Sequence, residues 1–504
     1  MTKRINSNDA ARGVLFLTVS TIIVKFAGLL FKIPLTALIG ESGMGYFNSA
    51  YTLFTWFYMI STAGLPVAAA MMISSAKAEG KRRLIRRIFH LTLVVFIGFG
   101  LMGSGIMAFG AGWFSSLMKV EKSRLSMLAI APTLFLICQS AALRGYFQGL
   151  GELVPHALSQ IAEALGKLFL GLALAKYALS KGEPIEVAAA YAAFGLTVGV
   201  GAGMVVLYLS LLFVKNDEDD LNDVCSERLG SLLRRLFSAA LPITLSAGLS
   251  SLSGLLDGFL MTRGLHSLGL SQLESAAVWG NYSSLALPMF NLPPVLIYPL
   301  VYALTPELTA LLASNDICGA RKRCKRTFSL TAALAIPCSL GLAALAEPIL
   351  ALFYDAMLAE RGAAMLIFLA PASFLVCLLA VTNTVLQVCG RGRDTLYAMA
   401  LGVLTKLVSA WILIPRIGKL GTPISTFLCY FVCVGLSLVF IDFTPLAGLF
   451  TPKLCALWAV GSCLSVTLAV MIFPRLGVLP AMLAAVVSYA LICGRRILKI
   501  LKGN

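Results

Sequence analysis

Three lysines stand inside long apolar runs: Lys25, Lys167 and Lys406. Lys25 follows Arg12 by 13 residues, which is about 20 Å along a helix rising 1.5 Å per residue. Lys167 lies about 16 Å past His156, and Lys406 about 16 Å into its own run. A charged group at that depth in a bilayer costs roughly 2.5–3.5 kcal/mol on insertion scales, so each is a functional candidate. Lysine can snorkel, but its stem does not comfortably reach an interface from the midplane. The chemistry on offer is electrostatic: three cations near the midplane point to a positive cavity between two lobes. Lys32 and Arg144 lie nearer the two surfaces. Acids are fewer, with Glu163, Asp257 and Glu307 the ones expected to be buried. Glu163 precedes Lys167 by one helical turn, a spacing at which the two can neutralise each other. Asp257 falls toward the outer end of its run, six residues before Arg263. Structural pairing and proton or sodium coupling are both open to it.

An internal echo positions these lysines. Pro132, Phe135, Cys138, Gln148, Gly151 and Lys167 recur, displaced by 239, as Pro371, Phe374, Cys377, Gln387, Gly390 and Lys406. One residue out of step, Leu65-Pro66 followed by Lys81-Arg82-Arg83 recurs as Thr305-Pro306 followed by Arg321-Lys322-Arg323. A duplicated bundle of membrane helices places its site at the seam between copies. Apolar runs near 13–39, 45–76, 88–112, 125–149, 156–179 and 187–214 make the first copy. Runs near 236–262, 276–313, 327–352, 363–389, 395–415 and 421–441 make the second, and two more follow near 453–473 and 477–494. The expected architecture is therefore an all-α integral membrane protein of about fourteen spans: two parallel six-helix repeats plus two C-terminal helices. Its parts are a first lobe (1–214), a polar linker (215–235), a second lobe (236–441) and a C-terminal pair with a basic tail (442–504). The second and eighth helices are long, and each contains a proline (Pro66, Pro306) able to kink it.

Composition excludes several classes. Of 504 residues, 59% are hydrophobic and 12% charged, with a mean hydropathy of +0.89. A soluble domain carries about 25% charged residues, so an aqueous surface over most of this chain is ruled out. The net charge of +17 sits in short loops rather than along one face, which fits the positive-inside rule and not nucleic-acid binding. Twelve cysteines fall mainly inside apolar runs without a CxxC pair, as small buried hydrophobes do. The stretch from Gly13 to Ile39 is too long for a cleavable signal and ends without a small-residue motif, so it is expected to remain as the first span. Basic clusters at the N-terminus (Lys3, Arg4, Arg12), in 77–87, in 321–326 and in the tail (Arg495, Arg496, Lys499, Lys502) fall on one side after fourteen spans. That side is expected to be the cytoplasm, with both termini there, in the cytoplasmic membrane. The acidic run Asn216-Asp-Glu-Asp-Asp220 is expected to be a solvated hinge rather than a metal site. Gln148 with Gly151, and Gln387 with Gly390, are expected to make tight turns into the following helices. No nucleophile motif, zinc signature, paired carboxylates or GxxxxGK[ST] appears, so neither an enzyme, a metal nor a cofactor is expected.

The opening Arg12-Gly-Val…Lys25-Phe-Ala-Gly28…Ile39-Gly40-Glu-Ser-Gly43, with Gly45-Tyr46…Tyr51 and Gly64-Leu-Pro66, resembles the oligosaccharidyl-lipid flippases of the MOP (MATE-like) superfamily. The chain is most similar to the SpoVB/YtgP group of polysaccharide-biosynthesis and sporulation proteins, relatives of the lipid II flippase MurJ. That resemblance covers nearly the whole chain. It implies two lobes alternating between inward-open and outward-open states, moving an undecaprenyl-pyrophosphate-linked sugar. It further implies that a cationic cavity holds the head group while the last two helices offer the polyprenyl tail a groove. Membrane lipids, and cell-wall or spore-envelope synthesis proteins, are the partners it implies. A dianionic head needs cations at depth, which lysines supply as point charges. The family's first-helix basic residue, followed three positions on by glycine, matches Lys25 with Gly28. Its second is expected at Phe31, and here Lys32 stands one place off. A further one, expected in the second helix, is missing from Thr55-Trp-Phe-Tyr58. Those departures imply a related flippase with a rearranged site. Two other classes compete. A MATE-type cation antiporter would want buried carboxylates rather than lysines, and a membrane glycosyltransferase would need acidic residues in a sizeable outer loop.

Overall fold

The computed structural model describes residues 7–213, 228–446 and 452–502. Lys3, Arg4 and the acidic run 216–220 lie outside them, as do the side chains of Arg12, Lys25, Pro306, Lys499 and Lys502. Nearly every described residue is helical, as a chain without water along its sides requires, because a helix satisfies its own backbone. Eleven helices are long and apolar enough to cross a bilayer. Two of them, Phe26–Lys77 and Gly392–Asp442, are each long enough for two crossings, and Trp458–Pro474 adds a shorter apolar helix. The fourteen expected spans are thus represented among the described residues by eleven candidate spans and one shorter apolar helix.

Contacts gather one compact unit up to His266, with Leu270–Gly280, and a second from Ser267–Gly269 and Asn281 onward. The first holds α1 (Ser7–Thr62), α2 (Leu65–Ala78), α3 (Arg82–Leu117), α4 (Arg124–Leu150), α5 (Val154–Ser180), α6 (Ile185–Leu212), nearly all of α7 (Leu229–Ser267) and most of α8 (Gln272–Asn281). Helix α1 is broken at Gly40, whose φ of 68° with ψ of −175° is open to glycine and strained for other residues. The second expected span breaks again at Ala63–Gly64, and Pro66 opens α2, where its missing N–H costs nothing. Lipid supplies no hydrophobic drive between helices, so close packing must hold them. Helices α5 and α6 meet through glycine: a Cβ on Gly195 would lie 2.3 Å from the Gly171 Cα, and one on Gly166 would lie 2.6 Å from the Gly199 Cα. Ala188, Ala189, Ala192 and Ala193 are fully buried on the same helix.

The second unit begins with a π-helical turn (Tyr282–Ala286) and continues through α9 (Leu287–Phe290), α10 (Leu292–Ala313), α11 (Ile317–Ala344), α12 (Ala346–Ala351) and α13 (Ala356–Val388). It then runs through α14 (Gly392–Ile417), α15 (Gly421–Asp442), α16 (Pro452–Leu476) and α17 (Val478–Lys502). The eighth expected span is interrupted, but not at Pro306, since α10 runs straight through that position. The irregular stretch lies around Pro288, Pro293 and Pro294, which lack the N–H groups that α-helical bonds to Ser284, Met289 and Phe290 would need. Two of those carbonyls are taken by hydroxyls: Tyr354 donates to the Ser284 oxygen at 3.1 Å and Ser373 to the Phe290 oxygen at 2.8 Å. The C-terminal pair docks on α11, with Trp458 fully buried and the Tyr489 hydroxyl donating to the Ala333 carbonyl at 2.7 Å.

The basic cluster expected as loop 77–87 is mostly helix, because α2 ends at Ala78 and Arg82, Arg83, Arg86 and Arg87 open α3. Residues 321–326 likewise lie within α11. Cations in a helix's first turns oppose its dipole, so helix stability does not account for their placement. Glu307, expected to be a buried acid, is exposed and accepts from the Arg323 guanidinium at 2.9 Å, tying α10 to α11.

Both copies end the fourth helix of the repeat alike. Gly151 (φ 78°) and Gly390 (φ 76°) are left-handed, as expected. Their N–H groups donate to Gln148 and Gln387 at 3.0 Å, while Glu152 and Arg391 donate to Phe147 and Leu386 at 2.9 and 2.8 Å. These paired bonds close the helix and turn the chain back. Gly151→Val and Gly390→Val should each destabilise the protein by about 1–2 kcal/mol, the cost of a left-handed L-residue. Unfolding of the purified variants by titrated denaturing detergent checks this, with Gly98→Ala, at a helical position with open space, as the neutral comparison.

Candidate functional site

Lys167 is the best-defined cation of the first unit. It lies on α5, half-buried, with its Nζ 4.9 Å from the ring centroids of both Phe31 and Tyr51 on α1. Phe31 reaches that position because α5 carries Gly171 one turn further on. A Cβ there would lie 2.7 Å from the Phe31 ring. Two aromatic faces offer an ammonium about 0.5–2 kcal/mol each, less than a carboxylate would, and they leave its full charge in place. Lys32, next to Phe31 in the chain, lies within electrostatic reach of Lys167.

Glu163 does not neutralise Lys167, contrary to what the one-turn spacing allowed. Its Oε2 accepts instead from the Arg144 guanidinium at 2.8 Å, and the Arg144 Nε donates to the Ser159 hydroxyl at 3.0 Å. Arg144 is 11% and Glu163 26% exposed at the side chain, so the pair lies at the α4–α5 seam with little water to screen it. Arg144 is therefore buried between helices, six residues before the end of α4. At the repeat positions 239 further on stand Asn383, Ala398 and Gly402. The second copy has no such ion pair, and at Gly402 the space of a side chain is occupied by Cys433, whose Sγ would lie 2.1 Å from a Cβ.

A row of rings on α1 joins these two places. Phe31 packs on Phe47 at 5.8 Å, Phe47 stacks on Tyr51 at 5.9 Å, Tyr51 meets Phe54 at 6.1 Å, and Phe54 stacks on Tyr58 at 6.0 Å. Tyr58 lies within electrostatic reach of both Arg144 and Glu163. Charge and hydropathy do not mark the row, although the spacing 47, 51, 54, 58 is the stripe of one helix face and is legible in the sequence.

The other expected residues lie elsewhere. Lys406, on α14 of the second unit, is 2% exposed, an ammonium enclosed beside Cys433. Asp257 on α7 is 4% exposed, while Arg263 packs over the Phe259 ring at 5.7 Å. Lys25 is on α1, its side chain outside the described residues. The structure thus brings together Lys32, Lys167, Arg144 and Glu163 in the first unit, with Lys406 held in the second. Among the described residues no group of three His, Cys, Asp or Glu side chains clusters as metal ligands would.

If Arg144 and Glu163 act as a pair, Arg144→Met and Glu163→Leu should each destabilise, and the double variant should recover part of the loss. A double-mutant cycle on unfolding is expected to give a coupling of roughly 0.5–3 kcal/mol, whereas Lys167→Met with Glu163→Leu should be additive.

A family profile described as polysaccharide biosynthesis protein matches residues 10–311, and one described as MatE matches residues 274–412. Stage V sporulation protein B of Bacillus subtilis (strain 168) is 26% identical over 300 residues, covering 59% of this chain and 58% of that protein. The lipid II flippase MurJ of the same organism is 24% identical over 446 residues, covering 84% of this chain and 81% of that one. A solved structure of lipid II flippase MurJ in an inward closed conformation superposes with a TM-score of 0.71 at 13% identity, covering 97% of this chain and 100% of that one. That likeness establishes the shared fold of a multi-pass membrane protein. With the first profile spanning more than half of its length, the chain belongs to the polysaccharide biosynthesis protein family and carries the fold of the MOP superfamily.

Proposed function

We propose that this protein is a flippase that moves a polyprenyl-pyrophosphate-linked sugar, of the lipid II or polysaccharide-precursor kind, across the cytoplasmic membrane. The observation that carries this reading is the Lys167 ammonium. It is held at bilayer depth against two aromatic faces, while the nearest acid along its helix is engaged by Arg144. A cation kept charged at that cost suits a multivalent anion that arrives as substrate. Lys32 and Lys25 are the further cations of the first unit proposed to meet the pyrophosphate, with Arg144 proposed to meet the head group. Lys406 is the cation proposed for the substrate in the second unit. The relatives are named for lipid II flipping and for sporulation, which favours a lipid-linked precursor as cargo and wall or spore-envelope synthesis proteins as partners. Orientation follows from the arginines that open α3 and α11 against the helix dipole. The positive-inside rule accounts for them if those ends, and both termini, face the cytoplasm.

A second reading, a cation antiporter, is favoured by the MatE match and by the buried Asp257. Cavity sign separates the two, and the lysines favour the anion.

In proteoliposomes loaded with a lipid-linked sugar, Lys167→Met should slow flipping about tenfold or more, the loss of roughly 1.4 kcal/mol of barrier stabilisation. The double variant Lys25→Ala/Lys406→Ala should do likewise at unchanged protein content. Undiminished flipping by both variants removes the site assignment, and gradient-driven export of an organic cation would install the antiporter instead. A fluorescent protein fused after Asn504 should fold and fluoresce, as cytoplasmic fusions do.

A further inference from the structure

The aromatic row on α1 has two seams with different exposure. Phe47 and Phe54, seven residues apart, are buried at 1% and 7% exposure. Tyr51 and Tyr58, also seven apart, are half-buried, and they are the two rings that carry hydroxyls. Core packing explains the phenylalanine seam. It does not explain why the partly open seam uses tyrosine, nor why both tyrosines meet charged groups. Tyr51 faces Lys167, which has Lys32 in electrostatic reach, and Tyr58 lies within electrostatic reach of the paired Arg144 and Glu163. Two helical turns separate the tyrosines, about 10 Å.

We propose that Tyr51 and Tyr58 form a platform for the sugar ring of the substrate, with the pyrophosphate on Lys167 and Lys32 and the hydroxyl or acetamido groups on Arg144 and Glu163. The inference rests on the flippase reading and adds the polarity and the specificity of its site. A sugar has apolar C–H faces and a polar rim. Tyrosine offers a rigid face for the first and a hydroxyl for the second, at low conformational cost. The Arg144–Glu163 pair supplies donors and acceptors side by side, as a rim of mixed hydroxyls and amides requires. Helix α5 fixes the direction, since it runs from the Gly151 turn past Glu163 to Lys167. The sugar end therefore lies nearer that turn, and the phosphate end deeper.

The second copy lacks this arrangement. With the 240-residue step of the Pro66–Pro306 region, positions 47, 51, 54 and 58 become Leu287, Asn291, Pro294 and Tyr298. Asn383, Ala398 and Gly402 replace the polar network, and of the arrangement only the lysine and one tyrosine, Tyr298, recur. Sugar reading thus belongs to the first copy.

The test is equilibrium binding of two probes to the full chain in nanodiscs: undecaprenyl pyrophosphate, and the same lipid bearing one N-acetylglucosamine. The wild type should bind the sugar-bearing probe about tenfold more tightly. Tyr58→Ala should abolish that preference with sugarless binding unchanged, and Tyr58→Leu, which keeps apolar bulk without an aromatic face, is a second variant expected to do the same. Tyr58→Phe, which keeps the face, should retain most of the preference, and Lys167→Met should weaken both probes together. Equal affinity of the wild type for the two probes overturns the platform and leaves the flippase reading standing. Parallel loss of both probes in Tyr58→Ala and Tyr58→Leu also overturns it. A wild type that binds neither probe overturns both readings.

Discussion

A charge held between helices in a bilayer must find something to take it. The cost, roughly 2.5–3.5 kcal/mol at the centre of a span, is large against the marginal stability of a folded chain. This protein meets that constraint in three ways. Arg144 is met by a carboxylate and a hydroxyl on the neighbouring helix. Lys167 is met by the faces of two rings, which hold a cation without discharging it. Lys406 is enclosed almost completely. The first solution leaves the charge paired within the protein, and the second leaves a charge available to an anion. The functional reading rests on that difference.

The same constraint governs the backbone. Lipid offers no partner for a free carbonyl, so each break in a span must be repaired from within the protein. Prolines at 288 and 294 remove donors from the eighth span, and hydroxyls of Tyr354 and Ser373 take the carbonyls concerned. At Gly151 and Gly390 the repair is local, through two turn-closing hydrogen bonds repeated in both copies. Backbone geometry has thus been kept by the duplication where side-chain chemistry has not. Positions 144, 159 and 163 carry a polar network, while 383, 398 and 402 carry Asn, Ala and Gly. A pair of helices needs the same turn whatever it binds. A substrate with two chemically different ends needs two different surfaces.

Fold and membrane class were legible in the chain because both follow from one-dimensional quantities: length of apolar run, periodicity and the position of basic clusters. The 239-residue echo even located the equivalent turns. Element ends were less legible. The arginines from 82 to 87 read as a loop since charge marks the edge of the membrane, yet a helix can continue into water past that edge. Pro306 read as a kink, while the break fell at a different proline cluster, because neighbouring hydroxyls decide where a lost hydrogen bond is tolerable. Tyr51 and Tyr58 are readable as a stripe, but neither carries a charge, so membrane depth and ionisation do not single them out.

What the sequence determined by itself was an all-helical, duplicated membrane bundle with lysines at depth, since hydropathy and spacing act along the chain. What only the tertiary structure decided was which charge meets which. Glu163 lies one turn from Lys167 on its own helix, but the shorter path runs across to Arg144 on α4, and the ring faces of α1 close over the lysine instead. Pairing energies fall steeply with distance and depend on orientation, and neither is fixed until helices distant in the chain have packed.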